Sequence, residues 1–262
     1  MEASTKDIKG RRVNIICLKW GTYYGPEYVN RLYSGVKAHM DRPFRFVCFT
    51  DDPSGLDNGI ENAEFPPPPP GWKYGWPNIF VKLCLFKDGL ANLEGPTLFL
   101  DIDQIIVGDM GRFFDYKPGT FCIIRNWIEM RKRIFRRLPK VGNSSCFRFE
   151  AGKSNRVFEA FLADMDRAVD QRFFRTEQAF MTHAVGLDAI SWWPSAWVKS
   201  FKRSCVRAFP LNLFLDAKPP KGASILCFHG VPSPHEAIAG YKGRHLNTWV
   251  RPCAWVKELW EC

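Results

Sequence analysis

The sequence predicts a single α/β domain built on a mixed, mostly parallel sheet flanked by helices. Three observations lead there. Short continuous apolar runs alternate with amphipathic segments through the first half of the chain. Those runs lack an inside–outside alternation, as expected of strands buried on both faces. The length of 262 residues, with 46% hydrophobic and 24% charged residues, suits one globular unit and excludes a disordered or fibrous chain.

The elements follow in order. Val13–Leu18 is a buried strand, and Gly25–Met40 is a helix with Pro26 in its first turn. Phe44–Thr50 is a second buried strand. A loop rich in Asp, Gly and Pro runs from Asp51 to Asn78, with Pro66–Pro70 as an extended spacer. Ile79, Leu83, Phe86 and Leu90 recur at helical spacing and predict a helix over Asn78–Leu90. Gly95-Pro96 turns the chain into a third strand, Thr97–Leu100. This β-α-β-α-β order implies parallel strands with helices on both faces. Further on, Thr120–Ile124 and Ser145–Phe149 are expected strands. Asn155–Val169 is a helix capped by Ser154, with Val157, Phe161, Met165 and Ala168 on its apolar face. Thr176 caps a helix running to Val185. Ser224–Phe228 is a late strand, and the Trp-rich tail Leu246–Cys262 packs back as a helix. No internal repeat or linker divides the chain.

The formal net charge is +10, which favours anionic partners without choosing among them. Six cations fall in the ten residues Arg131–Lys140. That run is either a solvated face or a patch for phosphates or anionic lipid. Nucleic acid is not an expected partner, because no nucleic-acid module is recognisable. The nine cysteines form no CxxC pair, and several sit inside apolar runs, which fits a reducing compartment. No run approaches the roughly 20 apolar residues of a membrane span, and Met1–Arg12 has no signal-peptide core. The expected location is cytoplasmic.

The most informative stretch is Phe99-Leu100-Asp101-Ile102-Asp103. Two carboxylates follow a buried strand, at the edge where open α/β sheets bind ligands. In extended backbone they would share one face. So close together they repel unless a cation joins them, and a hard divalent ion with phosphate oxygens as further ligands would do so. The bland alternative is a turn-capping Asp beside a solvated one.

The run Lys82-Leu83-Cys84-Leu85-Phe86, followed by Thr97–Asp103, resembles glycosyltransferase family 8 and its bacterial relatives, which have the GT-A fold, a Rossmann-like α/β arrangement. Other segments match in order. Val13–Leu18 with Gly21-Thr22-Tyr23-Tyr24 resembles the first strand and base-binding loop, and Phe46–Asp52 the second strand and its Thr/Asp end. Gly142-Asn143-Ser144-Ser145 is similar to an Asn-Ser/Thr-Gly segment, with Ser145 in place of Gly. Arg175-Thr176-Glu177-Gln178 resembles an Asp-Gln pair, with Glu177 in place of Asp. Cys227–Pro232 resembles a late His-containing segment but lacks its Lys. His235, Lys242 or the Arg131–Arg137 cluster are the candidates to supply that cation.

The resemblance implies a metal-dependent glycosyltransferase of the hexosyltransferase type. It would move a sugar from a nucleotide-diphosphate donor to a glycan or lipid-linked acceptor, with retention of anomeric configuration. Residues 13–110 would be the nucleotide-binding half, 111–235 the acceptor and sugar half, and 236–262 a helical tail. It implies Asp101, Asp103 and His229 as ligands of Mn²⁺ or Mg²⁺. The implied donor contacts are Thr22, Tyr23, Thr50, Asp51, Lys82, Ile102, Asn143, Ser144 and Gly230. Gln178 would orient an oxocarbenium-like centre, with Glu177 as its carboxylate partner. Tyr23 or Tyr24 stacks on the base or packs in the core, and the segment Trp192-Trp193-Pro194 with Trp197 forms a sugar-stacking wall or core. The basic excess suggests an acidic acceptor, such as a bacterial envelope glycan, or peripheral contact with an anionic membrane surface at the inner face. A sugar nucleotidyltransferase is an alternative, but Lys19–Tyr24 lacks a Gly-rich phosphate loop. A haloacid-dehalogenase-type phosphohydrolase using Asp101 and Asp103 is another, but Ile105 stands where Thr or Val is expected.

Overall fold

The computed structural model describes residues 12–127, 140–174 and 176–261. The first part comprises β1 (Val13–Lys19), α1 (Pro26–His39), β2 (Phe44–Thr50), β3 (Glu61–Glu64), the helical turn α2 (Val81–Cys84), β4 (Gly95–Leu100) and β5 (Gln104–Ile106). Next come α3 (Arg112–Asp115), β6 (Phe121–Arg125), β7 (Gly142–Ala151), α4 (Arg156–Ala163), α5 (Met165–Val169) and α6 (Glu177–Val185). The last elements are β8 (Ile190–Trp192), β9 (Val198–Ser200), β10 (Ile225–Cys227), α7 (Pro234–Ala239) and α8 (Ala254–Trp260).

One seven-stranded sheet runs β3-β2-β1-β4-β7-β6-β8. Its first four strands are parallel, and β7 runs against both β4 and β6. Every residue of β1 is buried. Ile15 and Cys17 face one apolar cluster, and Ile16 and Leu18 face the other. The apolar run Ile15–Leu18 thus marks a strand covered on both sides. On one face α1 contributes Tyr28, Val29, Leu32 and Val36, at the spacing of a single helical stripe. On the other, α2, α4 and α6 cover Phe99 and Phe147, which stack at 4.9 Å. A three-stranded sheet, β5-β10-β9, begins directly after the Asp-x-Asp motif.

The expected helix over Asn78–Leu90 shrinks to α2. Its apolar residues do not form a stripe: Val81, Leu83, Cys84, Leu85 and Phe86 are all buried, and Ile79 is exposed. The segment is wrapped by core on all sides and uses i→i+3 bonds, such as Leu83 N to Phe80 O. The expected helix Asn155–Val169 is two helices that meet at Asp164, where φ is −149°. The break redirects the second segment so that Ala168 is buried, and the first helix begins after Asn155 with no side-chain capping bond. The tail is α-helical over α8, with one 3₁₀ turn at Leu246–Thr248 before it. Val250 instead bridges Tyr241, and Pro252 limits the helix on its N-terminal side.

Eight cysteines of the described residues are buried and free. Burial pushes the Cys84 thiol up to about 12, so it behaves as a small hydrophobe. No helix among the described residues is long and apolar enough to cross a membrane. The Arg131–Arg137 cluster and Arg175 lie outside the described residues, and Lys140 is exposed at the segment's end.

Candidate active site

From β1 the chain crosses to β2 on one side, while β4 lies on the other. A sheet whose order reverses in this way leaves a crevice at the carboxyl ends of the two strands. A cavity of about 210 Å³ occupies that position. Leu18, Trp20, Tyr23 and Tyr24 line it from the end of β1, Asp101, Ile102 and Asp103 from the end of β4, and Lys82 from α2. Both carboxylates reach the cavity, but not by strand alternation. The chain turns after Leu100, closed by Gln104 N donating to Asp101 O at 3.3 Å. Ile102 is buried in the core between them.

The charges here are incompletely balanced. Lys82 Nζ pairs with Asp101 Oδ1 at 2.7 Å. Burial disfavours the Lys82 ammonium, but Asp101 and then Glu177 outweigh it, and its pKa is raised. Among the described residues Asp103 has no such close partner. Burial, and then the charge of Asp101, push its carboxyl up to about 8. A carboxyl so destabilised as an anion is one that an added cation would favour. Among the described residues no three His, Cys, Asp or Glu side chains are grouped to hold a metal by themselves. The Asp pair therefore offers hard oxygen ligands and needs the remainder from elsewhere. That donor set fits a divalent ion shared with phosphate oxygens.

A second layer orients Lys82. Its Nζ also lies 3.4 Å from Ser144 O, and Ser144 Oγ donates to Glu177 Oε1 at 2.6 Å. Ser144 N donates to Gln178 Oε1 at 3.1 Å, which leaves the Gln178 amide NH₂ uncommitted to that bond. Thr176 begins α6 as expected, and Glu177 is buried in its first turn. Asn143 turns inward on its own strand, its Oδ1 accepting from Ser145 N at 3.1 Å. Thus Lys82, Asp101, Ser144, Glu177 and Gln178 form one connected polar network.

The late His lies at the end of β10 beside a cation that sequence reasoning missed. His229 Nε2 and Ser200 Oγ are 2.6 Å apart, and its ring stacks on Trp127 at 5.2 Å. Burial, then Lys202 and Arg203, lower the His229 pKa to about 4, so the imidazole is neutral at pH 7. Gly230 has φ +68°, and a Cβ there would meet Lys202 Nζ at 3.4 Å. Lys202 is half-buried in the single π-turn Phe201–Cys205, and its ammonium feels the charge of Asp103. Among the described residues it has no hydrogen-bond or ion-pair partner. Of the three sequence candidates for this cation, the two that are described lie elsewhere. His235 is bonded to Tyr28 Oη, Lys242 lies over Trp249 at the wall of a separate cavity, and the basic cluster is outside the described residues.

The remaining candidates spread along the rim. Tyr23 is 77% exposed at the cavity's lip, while Tyr24 packs on Tyr28 at 4.4 Å. Thr22 is exposed and does not line the cavity. Asp51 Oδ2 accepts from Gly21 N at 2.9 Å, a bond that ties the loop after β1 to the end of β2. Thr50 is buried and donates to Asp52 O at 2.9 Å. Trp193 is buried against Phe113, whereas Trp192, Trp193 and Trp127 line a neighbouring cavity of about 330 Å³.

The fold has counterparts among solved structures. The galactosyltransferase LgtC in complex with donor and acceptor sugar analogs superposes with a TM-score of 0.62 at 14% identity, covering 95% of each chain. The fold is the GT-A glycosyltransferase fold. An active-site mutant of LgtC matches the GT-A core similarly, with a TM-score of 0.63 at 14% identity over 94% of each chain. The bifunctional glycosyltransferase WbbM matches with a TM-score of 0.59 at 12% identity, over 85% of this chain and 46% of its own. No protein-family model and no curated protein matches the sequence. At such identities it is the GT-A fold that is shared.

Proposed function

We propose that this protein is a metal-dependent glycosyltransferase that moves a hexose from a nucleoside-diphosphate donor to a glycan or lipid-linked acceptor. One observation carries the reading: the Asp101–Asp103 pair, with one carboxyl unbalanced, lines the crevice at the reversal of the sheet order. Asp101 and Asp103 would hold Mn²⁺ or Mg²⁺, which when bound supplies positive charge to the donor's diphosphate; His229, expected as a third ligand, is bonded to Ser200 and is not grouped with them among the described residues.

The chain's own residues then divide the work. Transfer breaks the bond between the sugar and the diphosphate, and negative charge develops on the leaving oxygen. Lys82 fixes Asp101 toward the cavity and contributes one positive charge there. Lys202 contributes a second, in the role the resemblance gives to a Lys that this chain lacks after His229. Tyr23 and Tyr24 bound the side on which the base would stack. Thr22, Thr50 and Asp51 shape the loops behind it, and Ser144 holds Glu177 and Gln178 in place, while Asn143 and Gly230 are the further donor contacts the resemblance implies. Gln178, held by Ser144, orients the developing oxocarbenium-like centre with Glu177 behind it, in a retaining displacement. Trp127, which stacks on His229, and Trp192 line a separate cavity whose flat apolar faces would suit an acceptor sugar.

The experiment is to incubate the protein with a panel of UDP- and GDP-sugars and Mn²⁺ and to measure nucleoside diphosphate release. Release that disappears in Asp101→Asn/Asp103→Asn, with the fold retained, is the expected result. The absence of both release and Mn²⁺-dependent nucleotide binding across the panel overturns the reading.

A further inference from the structure

The segment after the π-turn inverts the usual distribution of polar and apolar side chains. In Phe209–Leu215 the polar Asn212 points inward, 2% exposed, and donates to Leu246 O at 2.8 Å and Trp249 O at 3.0 Å. Its apolar neighbours point outward: Phe209 is 56% exposed, Leu211 52%, Phe214 71% and Leu215 46%. The loop it bonds to adds Leu246, 48% exposed. Single exposed apolar residues are ordinary, but a contiguous group held out by a buried polar anchor marks a contact surface.

The charge around this group is of one sign. Arg203, Arg207, Lys218 and Lys221 flank it, and its only carboxylate, Asp216, is taken by Arg251 at 2.8 Å. The neighbouring loop adds Lys242 and Arg244 and has no acidic residue. Apolar side chains projecting from a cationic rim complement an anionic bilayer: the rings and alkyl groups enter the headgroup boundary while Lys and Arg meet lipid phosphates. A protein partner would have to match both features with an acidic groove, whereas a bilayer provides both without shape matching.

We infer that the Phe209–Leu215 turn and the Leu246 loop form a membrane-docking face for anionic lipid. Exposure and charge alone carry the inference, so it stands whether or not the protein transfers sugars. Arg203 lies on the same π-turn as Lys202, so the face adjoins the cleft.

The test is flotation of the full chain with phosphatidylcholine vesicles with and without phosphatidylserine. Wild type floats with the anionic vesicles, and the bound fraction falls with added salt. Leu211→Ser/Phe214→Ser loses at least tenfold in partitioning, and Lys218→Gln/Lys221→Gln loses binding to the same vesicles to a smaller extent. Both variants keep the wild-type melting temperature, because the changed side chains are exposed. Equal flotation of wild type and the apolar variant overturns the inference, as does no flotation of wild type. A concentration-dependent dimer that the apolar variant abolishes also overturns it and assigns the surface to a second copy of the chain.

Discussion

Lys82 Nζ and Asp101 Oδ1 are paired at 2.7 Å on the wall of the cleft, with Asp103 two residues on and, among the described residues, lacking an equivalent cation. The pair separates two roles that one carboxylate could not fill alone. Lys82→Met leaves two neighbouring carboxylates without their nearest positive charge. Removing one partner of a largely buried ion pair costs about 3 kcal/mol. The variant is expected to melt several degrees lower in chelator and to lose most donor-dependent nucleotide release. Adding Mn²⁺ with a nucleoside diphosphate should recover more melting temperature in the variant than in wild type, because two unbalanced anions bind the ion. Thermal denaturation with and without ligand checks this.

Asp103 predicts the sign of a pH effect in metal-free protein. Its carboxyl is pushed up to about 8 in the folded state, by burial and then by Asp101, from an ordinary value of 3.8. Between those values the folded chain binds the extra proton, so stability falls as pH rises through that window. Asp103→Asn removes the titrating group. Denaturation in chelator from pH 4 to 8 should show a flatter stability profile for the variant, and a higher midpoint than wild type near pH 8. The same variant should lose Mn²⁺-dependent nucleotide binding, so its gain in stability and loss of ligand separate the two roles.

Arg148 makes a structural prediction outside the cleft. It is 1% exposed and donates to Tyr116 O at 2.8 Å, Lys117 O at 2.6 Å and Thr120 O at 3.2 Å, among other acceptors. It gathers the loop between α3 and β6 onto β7. Arg148→Leu keeps the apolar volume but leaves several buried carbonyls without donors, each costing about 1–3 kcal/mol. The expected loss is at least 3 kcal/mol in urea denaturation, on the same scale. If the variant folds, its nucleotide affinity should match wild type.

The parts legible in the sequence are those encoded by near neighbours. β1, β2 and β4 are predominantly apolar runs, and the two Asp side chains follow the last of them, so strand, sheet type and the acidic motif are encoded in periodicity and local order. Contacts between distant segments left no such trace. Ser144 meets Glu177 and Lys82 only because β7, α6 and α2 converge. The segment 79–90 shows helical spacing yet is enclosed by core on all sides, so spacing overstated its helix. The apolar run 209–215 resembles core, and only the burial of Asn212 reveals that it faces outward. The resemblance points to a missing Lys after His229, whereas Lys202, the proposed replacement, comes from a turn beyond β9.

That replacement gives the last prediction. Lys202 Nζ lies beside Gly230, next to His229 and within the field of Asp103, half-buried and without a partner among the described residues. Burial and then Arg203 lower its pKa, so the ammonium is held in a place unfavourable to it in the absence of ligand. A group arranged in this way adds nothing to the stability of the free protein. It becomes favourable only when an anion arrives to balance it. Lys202→Met should therefore leave the melting temperature of the free protein unchanged or slightly higher. It should weaken binding of a nucleoside diphosphate about tenfold, the loss expected for one charge-assisted contact of about 1.4 kcal/mol. Binding of the nucleoside without phosphates should be unaffected. Titration calorimetry with the two ligands discriminates the cases: equal weakening of both would mean that Lys202 shapes the cleft, and selective loss of the diphosphate means that its charge is read by phosphate.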